Sequence, residues 1–474
     1  MFPIILKSPL DIGRYIAYNV SHRTGNELAY IIIQVAYYVK GVFKKMRTIL
    51  HCDMNNCYAS IELLHHPELR GRPLAVGGDP EARHGIVLAK DQLAKKAGVK
   101  TGMALWQARQ ACPEIIFVPP HMDLYLRFSR LAHEIYSDYT DQQEAFGVDE
   151  SWLDVTGSAS CKGDGELIAN EISERIKYEL GITVSIGVSW NKIFAKFGSD
   201  YKKPDAITVI KKSNFKDIVW PKPVEDLLYV GNATKKKLNG YGISTIGQLA
   251  QIDPELLHRW LGKMGYVLSA FANGKDQTPV CKENYAAPIK SIGNSTTTPR
   301  DLVSEDDVRI IAYVLSESVA ARLRENNFKC RTVEISVRDN ELYSFTRQRK
   351  LDQPTDLTSE IAQAAMCLFH QNYSWQKPIR SIGVRACDLI DASSPVQLDL
   401  FMDEMRRERL HKLDLAVDSI RGRFGFDSSQ RGLMYTDRSL SKVNAKEDHT
   451  VHPHGYFEGG NRTGAELLAA GIGR

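Results

Sequence analysis

The sequence predicts an α+β protein of several domains. With 474 residues the chain is longer than one hydrophobic core usually serves. Apolar runs of period two alternate with amphipathic runs of period 3.6 through its first half. Between residues 291 and 389 the predicted order is β-α-β-β-α-β, the ferredoxin-like arrangement, enough for a small complete domain.

Residues 1–45 are aromatic-rich and do not pattern like the rest of the chain, so they are read as an N-terminal extension of unknown role. From Arg47, RTILHCD reads as a buried strand ending on a carboxylate. A helix over 59–64 comes next, then a strand over 73–76 and a mixed stretch over 85–112. Leu124, Phe128, Leu131 and Ile135 fall on one helix face. EAFGVDESWLDVTG predicts a strand pair. Asp164 is a suitable N-cap for a helix carrying Ile168, Ile172 and Ile176, with Gly181 at its C-terminal end. Ile182, Val184, Ile186 and Val188 alternate as a strand; a helix over 192–200, a KKPD turn and the strand AITVI succeed it. Short helices with glycine turns at Gly231, Gly240 and Gly242 fill about 214–275. After the linker CKENYAAPIK come the elements of the β-α-β-β-α-β unit, then a polar tail from Ser393.

Composition narrows the class. The chain is 43% hydrophobic and 25% charged, which is ordinary for a globular protein. A net charge of +4 is only weakly basic, but lysines and arginines cluster in LAKKAGVK, YKKPD, GNATKKKL and RQRK, as a polyanion partner would require. The eight cysteines show no C-x-x-C pair or zinc spacing, which suits a reducing compartment. AYIIIQVAYYV is too short to span a bilayer, and its flanks do not form a signal peptide. The expectation is a cytoplasmic protein without membrane contact.

The chemistry concentrates in three acids. Asp53 ends one apolar strand, and Asp149 and Glu150 sit in the other apolar strand pair. Carboxylates at the ends of buried strands are costly unless they bind a cation or join a hydrogen-bond network. Two or three of them with a triphosphate make a natural two-metal site for Mg²⁺. Adjacent residues of a regular strand point to opposite faces, so Asp149 and Glu150 can share a site only if the chain bends there, and Gly147 permits a bend.

HCDMNNCYASIE, FGVDESWLDVTG, SIGVSWNKIFAKFGSDYKKPDAI and VGNATKKKL with GISTIGQLA resemble, in this order, the Y-family of translesion DNA polymerases, DinB and DNA polymerase IV branch. The likeness covers about 47–392. It implies a right-hand polymerase: palm at 47–56 and 121–210, small fingers at 57–120 and helical thumb at 211–281. A linker at 282–288, a ferredoxin-like little finger at 289–392 and the tail 393–474 would complete it. The activity implied is low-fidelity, template-directed addition of deoxynucleotides to a primer 3′-OH, with two Mg²⁺ ions per active site. By position, Asp53, Asp149 and Glu150 match the metal-binding and catalytic acids, and Met54 would lend a backbone carbonyl. Tyr58 matches the steric gate that leaves no room for a 2′-OH. Lys203 matches a lysine on the triphosphate, and the amides around Asn55, Asn56 and Cys57 would cradle phosphates. Where many relatives carry Tyr-x-x-Arg in the fingers, LAKDQLAKKAGVK holds Gln92 and Lys95, with Lys90 nearby. Lysine lacks arginine's bidentate fork, which predicts a weaker grip.

In the tail, Gln397, Leu398, Asp399, Leu400 and Phe401 resemble the bacterial sliding-clamp-binding pentad, with Gln397, Leu398, Leu400 and Phe401 as contacts. The partners implied are primed DNA, dNTPs and the clamp, and the chain itself is expected to be a monomer. A nucleotidyl cyclase or a non-catalytic damage scaffold is the alternative, and the length and tail also leave room for a UmuC-like enzyme. A cyclase needs no thumb or second ferredoxin-like domain, and a scaffold needs no carboxylates.

Overall fold

The computed structural model describes residues 46–442, apart from 79–84, 284, 286–287, 396 and 398–402. The extension 1–45 and four residues of the pentad, Leu398, Asp399, Leu400 and Phe401, lie outside the described residues.

Strand β1 (Ile49–Met54) is buried along its whole length, as an apolar central strand should be. Helix α1 (Cys57–His65) comes directly after it. Strands β2 (Leu74–Gly77) and β3 (Val87–Lys90), helices α2 (Gln92–Lys96) and α3 (Leu105–Ala111) and strand β4 (Ile116–Val118) come next. They form a small sheet of order β3-β2-β4 around a core of Val87, Ala94, Leu105 and Ile115, which is the fingers.

Helix α4 (Met122–Ser137) returns the chain to β1, and the hairpin β5 (Gln143–Ala145) and β6 (Glu150–Asp154) pairs beside it. Helix α5 (Gly165–Arg175) starts at Asp164, whose side chain accepts from the Leu167 amide as an N-cap. Strand β7 (Val184–Ser189), helix α6 (Lys192–Tyr201) and strand β8 (Ile207–Val209) complete a sheet of order β5-β6-β1-β7-β8, the palm. Its two faces have different tasks. Leu50, Cys52 and Met54 point into one core with Phe128, Ile135, Ile168 and Ile172 from α4 and α5. Ile49 joins Trp152 and Phe194 on the other face, which α6 covers and the thumb helices extend. Gly187 makes the α6 contact possible, since a Cβ there would lie 1.8 Å from the Ala195 carbonyl oxygen.

The thumb is helical: α7 (Phe215–Val219), α8 (Asn232–Gly240), α9 (Ile246–Gln251), α10 (Pro254–Leu261) and α11 (Lys263–Ala272). The little finger runs β9 (Ile292–Leu302), α12 (Glu305–Glu325), β10 (Phe328–Asp339), β11 (Ser344–Thr355), α13 (Thr358–Asn372) and β12 (Ile379–Asp391). The element order is the predicted one. Its sheet has the order β11-β10-β12-β9, with the second and last strands at the centre.

The segment after Ser393 is more than a polar tail. Helix α14 (Glu404–Phe424) and short α15 (Arg438–Ser441) fold back onto the little finger. Met434 and Leu440 enter its core. The docked face of α14 is charged, which is why the segment reads as tail. Glu317 of α12 accepts from Arg431 at 2.8 Å and Arg421 at 2.9 Å. Asp414 takes the Thr358 amide at 2.9 Å, and Arg324 reaches Asp414 at 3.3 Å and Asp418 at 2.8 Å. Each of these acids is met by an arginine, the cation best shaped for partly buried carboxylates.

Candidate active site

Asp53 and Glu150 are direct cross-strand partners on β1 and β6, so both side chains lie on the α6 face of the sheet. Asp149 precedes β6 in the β5–β6 turn, where Gly147 has φ +94°. Strand alternation therefore does not separate Asp149 from Glu150. The Asp149 carbonyl accepts from the Met54 amide at 3.0 Å, which ties the turn to the end of β1.

Each acid has a different electrostatic setting. Burial pushes the Asp53 carboxyl up to about 7, and the Glu150 charge adds to it. Lys203 Nζ, 2.5 Å away, offsets only part of this. Burial and Glu150 likewise push Asp149 up to about 6, and no ion pair reaches its side chain among the described residues. Burial works upward on Glu150 too, but the neighbouring His51 ring and Lys196 outweigh it and hold Glu150 at about 2. Lys196 of α6 hydrogen-bonds Glu150 directly, and His51 Nε2 lies 3.3 Å from the same oxygen. Burial lowers His51 to about 4, so the ring is neutral at working pH, and its Nδ1 lies 2.8 Å from Ser199 Oγ.

The shifts of Lys203 and Asp53 describe one contact from two sides. Burial lowers Lys203, yet Asp53 and Asp200 raise it overall, so the ammonium stays charged. Asp53 is raised because its burial and like-charged neighbour exceed what one lysine returns. The site therefore sets a permanent cation beside carboxyls that hold protons too readily.

Tyr58 lies on α1, half-buried, its ring stacked on Tyr125 at 4.2 Å and 8°. Burial pushes its phenol up to about 12, so the ring is neutral. Asn55 is committed elsewhere. Its amide donates to Thr183, its side-chain nitrogen to Ser185 Oγ at 2.8 Å, and its side-chain oxygen accepts from Thr183 and the Asp205 amide. Asn55 thus braces β1 against the turn that carries Lys203. Asn56 adopts a left-handed conformation with φ 47°, and α1 starts without a side-chain cap or an acid in its first turn. The first-turn amides after Asn56 are left without a capping acceptor.

Gln92 and Lys95 stand on α2 of the fingers, half-buried and exposed respectively, and neither pairs with the palm acids among the described residues. Lys90 donates to Thr101 Oγ1 at 3.1 Å, and burial with nearby Lys95 lowers its pKa. Gln397 is exposed. Sequence reading missed Lys196 and His51. The period-two alternation of RTILHCD already puts His51 on the face of Asp53 and could have found it. Lys196 comes from a distant helix and carries no such signal.

An oxygen-only donor set suits a hard divalent cation. The elevated Asp53 and Asp149 fit one, since added positive charge would offset their burial and the repulsion each receives from Glu150, and Lys203 now fills that role for Asp53. In the present side-chain arrangement no three His, Cys, Asp or Glu groups among the described residues converge as a ready ligand set. Asp53 and Glu150 are turned to their lysines instead. The described residues contain no helix long and apolar enough to cross a membrane.

Comparison with known proteins places this geometry. Residues 52–200 match the impB/mucB/samB family, and residues 289–400 match the C-terminal domain of that family. DNA polymerase IV of Acetivibrio thermocellus is 55% identical over 84% of this chain and 100% of its own length. DNA polymerase IV of Pelotomaculum thermopropionicum is 37% identical over 84% of this chain and 98% of its own length. DNA polymerase IV 1 of Bacillus subtilis is 38% identical over 78% of this chain and 90% of its own. A solved Y-family DNA polymerase chimera of Dbh and Dpo4 superposes with a TM-score of 0.63 over 73% of this chain and 99% of its own, at 24% identity, and supports the fold. With its palm acids, its separate little finger and these relatives, the chain belongs to the impB/mucB/samB family, as a Y-family DNA polymerase of the DNA polymerase IV branch.

Proposed function

We propose that this polymerase copies primed DNA past damaged bases with low fidelity, using paired Mg²⁺ ions at Asp53, Asp149 and Glu150. The observation that carries this reading is that Asp53 and Glu150 face each other across β1 and β6 with Asp149 in the adjoining turn, and that burial and the Glu150 charge hold Asp53 and Asp149 above the carboxylate range. Asp53, Asp149 and the Met54 carbonyl would hold the ions, with Glu150 beside the primer end. Bound Mg²⁺ would lower the pKa of the primer 3′-OH and neutralise the leaving pyrophosphate.

The chain's own groups have separable tasks. Lys203, charged and poised between Asp53 and Asp200, is placed to turn to the triphosphate. The uncapped amides from Asn56 and Cys57 onward offer phosphate donors, whereas the Asn55 amide is already used. Tyr58 would stand under the sugar as the steric gate. Lys95, Gln92 and Lys90 would grip the phosphates from the fingers. Palm, fingers, thumb and little finger keep the divisions read from sequence, with 404–442 added to the little finger. The pentad Gln397–Phe401 lies between β12 and α14 and would dock on a sliding clamp.

Primer extension on undamaged and abasic templates tests the reading. The expected result is Mg²⁺-dependent extension on both, lost with Asp53→Asn or Glu150→Gln. Extension by either variant at the wild-type rate would remove that residue from the site, and failure to pass the abasic position would remove the bypass role.

A further inference from the structure

Glu62 is fully buried, yet nothing in the proposed chemistry uses it. It lies one helical turn after Tyr58 on α1, so both side chains face α4. Tyr125, also fully buried, stands in the first turns of α4 and does two things. Its ring lies flat against Tyr58, and its hydroxyl donates to Glu62 Oε1 at 2.5 Å. His121 Nδ1 lies 2.9 Å from the same oxygen, and the His121 carbonyl accepts from the Tyr125 amide at 3.2 Å. Glu62 Oε2 makes no hydrogen bond among the described residues, with His66 Nε2 4.0 Å away.

A carboxylate in an apolar core is expensive, and an aliphatic residue would pack there more cheaply. What the carboxylate adds is direction. A charge-assisted hydrogen bond of this length holds the Tyr125 hydroxyl at one point, and α4 holds its backbone. The Tyr125 ring then has one orientation, and the Tyr58 ring stacked on it is disfavoured from tilting away. We infer that Glu62 and Tyr125 are positioning residues for the Tyr58 ring, and thereby set how strongly the enzyme rejects a ribose. The inference rests on reading Tyr58 as the steric gate. A gate that can retreat by a fraction of an ångström admits a hydroxyl, because apolar surfaces reject an extra hydroxyl only weakly when they can yield.

The test is steady-state insertion of CTP and dCTP opposite a template guanine, with kcat and KM measured separately. The enzymes are wild type, Tyr58→Ala, Tyr125→Phe, Tyr125→Leu, Glu62→Gln and the double variant Tyr58→Ala/Tyr125→Leu. Tyr125→Leu removes the ring and should raise the CTP to dCTP efficiency ratio about fivefold, corresponding to ~1 kcal/mol of ring stacking. Tyr125→Phe and Glu62→Gln keep the ring and should raise the ratio by about twofold, through CTP KM and with dCTP kcat unchanged. In the double variant the ratio should equal that of Tyr58→Ala alone, since Tyr125 acts through the gate. If Tyr58→Ala raises the ratio while the Tyr125 and Glu62 variants match wild type, the positioning role is overturned and the gate stands. If Tyr58→Ala itself changes nothing, the gate reading fails and the inference falls with it. Should Tyr125→Leu fold poorly, the two conservative variants decide, and wild-type ratios in both would overturn the role.

Discussion

In the palm, Asp53 and Glu150 meet lysines, whereas on the little finger Glu317, Asp414 and Asp418 meet arginines. Both groups of acids are largely buried, but their partners treat them differently. Glu317 has one arginine on each oxygen, and Asp414 has an arginine on each oxygen and a backbone amide besides. The palm acids crowd together, with Asp149 unpaired among the described residues and Asp53 pushed up despite Lys203. Planar guanidinium forks complete a carboxylate's hydrogen bonding, while a lysine is a point charge on a flexible stem that can leave. The little-finger network is complete as it stands, and its role is to hold 404–442 in place. The palm network is under-compensated, as the proposed cation site would require.

The largest expected effect comes from exchanging perturbations between the two regions. Asp149→Asn should lower the Mg²⁺-dependent extension rate about a thousandfold or more if Asp149 is the metal ligand proposed. It should leave metal-free thermal stability equal or higher, because an unfavourable buried charge is lost. Glu317→Ala should do the reverse. Arg421 and Arg431 would face each other without their acid, costing about 3 kcal/mol of local stability. Hydrogen exchange of amides in α12 and β12 would rise, with short-primer extension per folded molecule unchanged. If Glu317→Ala leaves exchange unaltered, the network is ornamental and the contrast between the regions fails.

A smaller effect sharpens the palm half. Asp53 near 7 and Asp149 near 6 bind protons in competition with a cation, so the Mg²⁺ needed for half-maximal extension should rise as pH falls from about 8 to 6. Metal-free stability should move the other way. Between about pH 4 and 7 the folded protein holds protons on these acids that the unfolded chain has released, so stability falls as pH rises through that window. Glu150, held near 2, gives stability that is present above about 4.3 and lost as pH falls toward 2, outside that window. Melting temperature against pH, for wild type and Asp149→Asn, checks the sign: the variant should have the flatter profile.

The smallest effect on the enzyme itself is expected in the pentad. Leu400→Ala with Phe401→Ala should leave short-primer extension unchanged and abolish the gain in product length from a loaded clamp on primed circular DNA. A short peptide loses entropy on docking, so its affinity should be on the order of micromolar. A double variant that still responds fully to the clamp would move the contact elsewhere.

Much of the palm was legible because its signals are local. The apolar run 48–52 ends on Asp53, Asp164 precedes its helix as a cap, and Gly147 and Gly181 both have positive φ. Strand alternation does not part Asp149 from Glu150 because Asp149 stands in the turn, one residue ahead of the strand. Asn55 was legible only as part of a motif, and its bonds to Thr183, Ser185 and Asp205 turn a phosphate-cradle residue into a brace. The segment 404–442 misled for a physical reason: a helix that docks through charges has no apolar stripe facing the body. Its exposed side carries Met405, Leu413, Ile420 and Phe424 instead.

The sequence by itself determined the order of elements through the palm and the β-α-β-β-α-β unit, and it placed Asp53 at the end of an apolar strand. Hydrophobic period and capping residues act over a few neighbouring positions, and the acids sit inside such local patterns. Only the tertiary structure decided that β10 and β12 occupy the centre of the little-finger sheet, that Lys196 and Lys203 meet Glu150 and Asp53, and that Tyr125 backs Tyr58. These are pairings between residues far apart in the chain. They are selected by burial and charge once the elements pack, and no local period in the sequence records them.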